Sequence, residues 1–358
     1  MSSAHVTPQE RTRRLFEQVA VKFADGTGCS PTSPLKRSDR RSRADEAART
    51  HESLARTYRT AAYAPDERSS THPARFVTVR RMSIVDKALW VIERNSSGEL
   101  NLPAVAEACG VSRSHLANAF GSTTGWPVVK YLRARRLTRA AETLARGAPD
   151  ILAVALDAGY GSHEAFTRAF RDQFGAPPER VRDRGSTEGL PLVAPLDLRV
   201  REQPVLAPPW VTEAAVRAVG MPGRHTFDTV IGIPIQWQTF MATRYDHIPN
   251  RVDGIPIGIQ KPVDDEGGFD YLCAAEVTAF GDVPRDLLKI ELPSRRYAVF
   301  EHRGHVSTLF DTYAAIWNEA LEQHGWAPAP APVIERHAPS FDPQTGEGGL
   351  SLWIPLAD

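Results

Sequence analysis

Apolar positions along this chain change period twice. Before residue 82 they are sparse and mark no more than a short helix around Arg11–Phe23. Between residues 83 and 184 they recur every three and four positions, and beyond residue 197 they mostly alternate. In the middle stretch, Ile84, Ala88, Leu89, Val91 and Ile92 form one face of a helix predicted over Ile84–Arg94. Asn101 can cap a second helix with Pro103 in its first turn. "AEACGVSRSHLANAF" breaks at Gly110 and restarts under Ser112, and Gly125 ends that helix. Pro127 opens a long helix closed by Gly147. Asp150 then caps a short apolar helix, a Gly-Tyr-Gly break follows, and Ser162 caps the next helix. "GAPPERVR" supplies one more short helix. The same object thus occurs twice: a helix, a glycine turn and a capped second helix with Phe120 or Phe170 buried near its end. That is a tandem helix–turn–helix, and two copies are far more specific than one.

Alternation takes over in "LRVREQ", "AAVRAVGM", "IPIGIQ", "DYLCAAEVTAF", "RRYAVFEHRG", "VIERH" and "LSLWIPL", which predict strands. Helical patterns interrupt them at "IQWQTFMATRYDHI" and "STLFDTYAAIWNEALEQHG". "FDTV…QWQTFMA" from Phe227 echoes "FDTYAAIWNEALE" from Phe310, so two similar halves are expected. The predicted fold is multidomain. A mostly disordered basic tail (1–81) precedes an all-α tandem helix–turn–helix domain (82–185). A linker (186–196) leads to an α+β, pseudo-duplicated antiparallel-sheet domain (197–358).

Charge sharpens this division. The chain has 358 residues and zero formal net charge, but residues 1–81 carry 16 Lys+Arg against 9 Asp+Glu. Residues 82–185 carry 14 against 11, and residues 186–358 carry 13 against 23. Such asymmetry suggests a polyanion partner at one end and a different partner at the other. The tail, with a short helix near Arg11–Phe23, reads as a solvated segment, and Met82 is as good a natural start as Met1. Cys29, Cys109 and Cys273 offer neither a disulfide framework nor a metal knuckle, which points to a reducing cytoplasm. No membrane span, metal or cofactor is expected.

On the second capped helix, His163, Glu164, Thr167 and Arg168 turn outward while Ala165, Phe166, Ala169 and Phe170 turn inward. A braced helix with such a face is a reading head for double-stranded DNA. Arg168 can fork onto guanine O6 and N7, and the other three offer shorter hydrogen bonds. The corresponding positions of the first head are Arg113, Ser114, Ala117 and Asn118.

Residues 82–185 resemble the DNA-binding domain of the AraC/XylS family of transcription regulators. The resemblance rests on Ala106, Ser112, Leu116, Phe120, Gly125, Tyr131, "RARRLTRAAETL" at 133–144, Ile151, Val154–Ala155, Gly159–Tyr160, Phe166, Arg168–Phe170, Phe174–Gly175, Pro178 and Arg182. It implies a bacterial regulator whose two recognition helices enter successive major grooves, with RNA polymerase as a protein partner. Asn118 stands where that family commonly has arginine, and Gly121 where it often has a lysine or arginine. The second head is therefore expected to dominate reading.

"YAVFEHRGHVSTLFDTYAAIWNEAL…GWAPAPAPVIERHAPSF…GGLSLWIPL" resembles the GyrI-like effector-binding domain. That implies an aromatic ligand cleft around one buried glutamate, which by position is Glu335. His337, two residues on, shares its strand face. Tyr271, Phe310 and Trp353 are expected walls, and Trp237 is either a wall or core. Such a cage suits a small lipophilic, cationic effector. Two other readings stay open: Glu335 and His337 as acid and base of a small-molecule hydrolase, or a drug-sequestering domain.

Overall fold

The computed structural model describes residues 82–95, 100–198, 204–230, 232–342 and 346–358. The expected basic tail, its helix near Arg11–Phe23, and residues 199–203 of the first expected strand lie outside them.

Local chemistry sets the helix ends. Helix α1 (Ile84–Arg94) opens on a capping box between Ser83 and Asp86. Helix α2 (Leu102–Cys109) starts under Asn101 and stops at Gly110. In α3 (Arg113–Thr124), Ser112 accepts from the His115 amide, and in α6 (His163–Phe174), Ser162 accepts from Ala165. Gly125 and Gly175 end these two helices at φ 73° and 66°, a left-handed conformation that glycine adopts without a Cβ clash. Long α4 (Val128–Ala145) joins the two units, with α5 (Ile151–Asp157) before α6 and α7 (Pro178–Arg184) after it. Caps, terminal glycines and buried Phe120 and Phe170 recur fifty positions apart, so the units superimpose residue by residue in sequence.

Helix α4 packs into both units. Val128, Tyr131 and Leu132 enter the first core, while Leu137, Ala141 and Leu144 meet Phe166, Phe170 and Phe174 in the second. Glu93 ties α1 to α4, accepting from Tyr131 at 2.9 Å, Arg135 at 2.8 Å and Arg139 at 2.8 Å. Burial pushes the Glu93 carboxyl up, but Arg135, Tyr131 and Arg139 together hold it below its ordinary value.

The sheet domain closes on itself. Strands β1 (Trp210–Thr226), β2 (Arg251–Gln260), β3 (Gly268–Val277), β4 (Leu288–His302), β5 (Val333–His337) and β6 (Leu350–Pro355) form an antiparallel barrel in the order β1-β3-β2-β5-β6-β4. Helix α8 (Gly232–Thr243) follows β1, and α9 (Leu309–Ala315) follows β4. After α9 the chain continues as a π-helical turn (Ile316–Ala320) and a last turn (Leu321–Gln323). Exchanging β1, β2 and β3 for β4, β5 and β6 maps the strand order onto itself, the duplication its sequence echo implied. Val216, Ala218, Ile257, Ile259, Leu272, Ala274, Tyr297, Val299 and Ile334 pack together, with half-buried Trp353 of β6 against them, filling the barrel interior. The opposite face meets the helices.

From Ser83 onward the described residues make one compact unit. Its largest core runs without a break from α1, α2 and α3 into Phe300, Tyr313, Trp317 and Leu352 of the barrel half.

Candidate functional site

Helix α6 turns its expected reading face to solvent. Glu164 and Arg168 are exposed, with Phe166, Ala169 and Phe170 buried behind them. Among the described residues Arg168 has neither an ion pair nor a side-chain hydrogen bond. His163 is half-buried, with Nε2 3.2 Å from Glu179. Thr167 is half-buried, and its Oγ1 is enclosed without a hydrogen-bond partner among the described residues. Ala165, expected inward, is exposed, so the solvent-facing side of the helix is turned slightly toward it. Arg171 is exposed on that face three residues after Arg168.

The first head differs. Arg113 is exposed and Ser114 half-buried, but Ala117 and Asn118, expected outward, are buried. Helix α3 lies against the barrel domain. Asn118 Oδ1 accepts from Gln260 of β2 at 3.1 Å, and His115 Nε2 meets the Trp317 carbonyl at 2.6 Å. Asn318, in the π-helical turn, donates to Thr123 Oγ1 at 2.8 Å and accepts from the Val85 amide at 3.2 Å. Gly121 makes room for Phe227, since a Cβ there would stand 2.1 Å from that ring. Two exposed ion pairs close the rim: Arg113 with Asp265 at 3.0 Å and Lys130 with Asp228 at 2.9 Å. Asn118 therefore meets protein, not solvent, in this conformation.

On the barrel, register decides which side chains share the carboxylate. Glu335 stands opposite Gly258 and Leu352, and Tyr271 opposite Gln260, so these turn toward the helices. Tyr271 donates to Glu335 Oε2 at 2.5 Å, and Tyr313 of α9 donates to Oε1 at 2.7 Å. Trp237 of α8 donates to the Tyr271 hydroxyl at 3.2 Å and sits edge-on to the His337 ring at 5.1 Å. Phe310 packs beside this group. Gly258 leaves the gap it needs, because a Cβ there would lie 2.2 Å from the Tyr271 hydroxyl.

Trp353 is not a wall of this site. It stands opposite Ile334, on the other face of the sheet, and stacks on Arg336 at 4.5 Å. Strand alternation hides this until the β5–β6 register is known. Tyr313 was missed, because a tyrosine on an apolar helical stripe reads as core.

Electrostatically the carboxylate is isolated. Glu335 is 7% exposed, and among the described residues no Lys or Arg pairs with it. Burial raises its pKa, and the two tyrosine hydroxyls only partly oppose this. Burial also holds His337 below its ordinary value, although Nδ1 lies 3.1 Å from the Pro256 carbonyl. Cys273, on the same face, is raised by burial and then by Glu335.

Two capped helix–turn–helix units on one stiff connecting helix, joined to a duplicated barrel with a tyrosine-held carboxylate, define a DNA-binding transcription regulator with an effector domain. Comparison with known proteins agrees. Residues 105–184 match a helix-turn-helix domain, and residues 207–357 match the GyrI-like small molecule binding domain. The chain is 26% identical over 281 residues to the transcriptional regulator Rob of Salmonella typhimurium, covering 75% of this chain and 94% of Rob. It is 36% identical over 100 residues to the multiple antibiotic resistance protein MarA of Escherichia coli, covering 28% of this chain and 76% of MarA. A solved structure of SAV2435 bound to tetraphenylphosphonium aligns with 42% of this chain and 94% of its own, at 19% identity and TM-score 0.34. The chain belongs to the AraC/XylS family of transcription regulators and carries a C-terminal GyrI-like domain. Among the described residues no helix is long and apolar enough to cross a membrane.

Proposed function

We propose that this regulator reads promoter DNA with α6 and senses a small lipophilic cation at Glu335. One observation carries the reading of DNA: Arg168 stands exposed and unpartnered on a capped helix braced by Phe166 and Phe170. A planar guanidinium held that way is suited to a bidentate contact with guanine. Glu164, His163, Thr167 and Arg171 flank it. The effector half rests on the isolated carboxylate. An unpaired buried charge is costly, and a cation that enters among Trp237, Tyr271 and Phe310 both neutralises it and stacks on aromatic faces.

The site's chemistry favours binding over turnover. His337 Nδ1 faces the Pro256 carbonyl and burial raises the Cys273 thiol, so among the described residues no activated nucleophile stands beside Glu335. At a promoter the protein partner would be RNA polymerase. The test is equilibrium binding of the full chain to a duplex chosen by selection from random sequence. Affinity should fall steeply as salt rises, because phosphate neutralisation releases counterions. Binding that ignores salt would refute the proposal.

A further inference from the structure

We infer that the effector domain competes with DNA for the first recognition helix and keeps that head shut in the conformation seen here. The inference rests on the proposal that α6 reads DNA, because α6 shows which face of α3 would read it. At the fifty-residue offset, the exposed α6 positions Glu164, Ala165, Arg168, Arg171 and Asp172 correspond to Ser114, His115, Asn118, Gly121 and Ser122 of α3. Three of those five make the contacts with Trp317, Gln260 and Phe227. The buried face of α3 is thus its reading face.

The occupying surface fits this role. The β2–β3 turn carries Asp264, Asp265 and Glu266 in succession. Asp265 pairs with Arg113 and also lines a cleft of about 620 Å³ that holds Arg133, Arg136 and Arg168. A carboxylate there stands where a DNA phosphate would be attracted. The rim of this contact is ionic and exposed, so charge reversal there acts on it from outside the apolar core that α3 shares with the barrel half.

The same elements hold Glu335. Tyr313 reaches it from α9, which runs directly into the π-helical turn bearing Trp317 and Asn318. Gly258 faces it from β2, two residues before Gln260. The tyrosine clamp therefore positions the surface that covers α3, and a molecule that displaces Tyr313 from Glu335 loosens it.

Hydroxyl-radical footprinting of the full chain on its selected duplex tests this. Wild type should protect one major groove. Asp228→Arg/Asp265→Arg places like charges against Lys130 and Arg113 without touching α3 or α6, and should extend protection by about one helical turn, ~10 bp. Gly121→Ala should do the same, since its Cβ cannot share space with Phe227, and alanine favours the helix. Tyr313→Phe should extend it through the clamp. Footprints of unchanged length in the charge-reversal and Gly121 variants, or a two-groove wild-type footprint, would overturn the occlusion. Extension in those variants but not in Tyr313→Phe would overturn the clamp alone. A wild type that protects nothing, with opened variants that protect one groove, would sink the reading of α6 and leave the occlusion standing.

Discussion

Glu335→Gln removes one charge from a site that does little to compensate it. The carboxylate accepts from Tyr271 at 2.5 Å and Tyr313 at 2.7 Å and is 7% exposed. A glutamine amide keeps one of these bonds through its oxygen, and the other tyrosine can accept from its nitrogen. The charge-assisted part of two bonds is lost, about 1 kcal/mol each. Against this stands the desolvation of a buried, unpaired carboxylate, several kcal/mol. The variant should be as stable as wild type at neutral pH, or slightly more so. The sign of the pH dependence follows. Because the folded-state pKa is raised, the native state binds more protons than the unfolded chain. The wild type then loses stability as pH rises from about 4.5 toward the raised value, and the variant does not. A lipophilic cation such as tetraphenylphosphonium should lose roughly 1–3 kcal/mol of binding, or about 5- to 150-fold in Kd. A neutral ligand of the same shape should lose far less. Tryptophan fluorescence of the full chain reads both, because Trp237 touches Tyr271. Equal losses for cation and neutral partner would show that Glu335 only braces the two tyrosines.

Gly258→Ala should abolish effector binding and lower the melting temperature of the full chain, because its Cβ meets the Tyr271 hydroxyl and Glu335 together; unchanged melting and binding would refute the packing described. Trp237→Ala should weaken cationic and neutral ligands alike, whereas Trp353→Ala should alter thermal stability and leave titrations unchanged. Glu93→Gln should destabilise the helical units by about 2–4 kcal/mol in denaturant unfolding, since it strips Arg135, 5% exposed, of its counter-charge; a loss under 1 kcal/mol would contradict that role.

Much of this fold was legible because its signals are local. Ser112, Ser162, Gly125 and Gly175 declare their helix ends through neighbours within a few residues, and strand alternation put Glu335 and His337 on one face. Closure of the sheet into a barrel was not legible, because it depends on strand pairings that no short window contains. Trp353 failed for the same reason: its face is set by pairing with Ile334. The covered α3 was the larger surprise. Asn118 and Gly121 read as a weak DNA contact, while their partners Gln260 and Phe227 lie in the other domain; Asn118 and Gln260 are 142 positions apart. Departures from arginine or lysine at those positions were visible in the sequence, but only tertiary structure shows that they suit a protein neighbour.

The central claim, that α6 reads sequence through Arg168, is tested most directly by selecting binding sites from random duplexes with the full wild-type chain and with Arg168→Ala. Wild type should select guanine at one position and the variant should lose that preference, at a cost of about 1–3 kcal/mol there and little elsewhere. Identical selected sequences and affinities for the two proteins would contradict it.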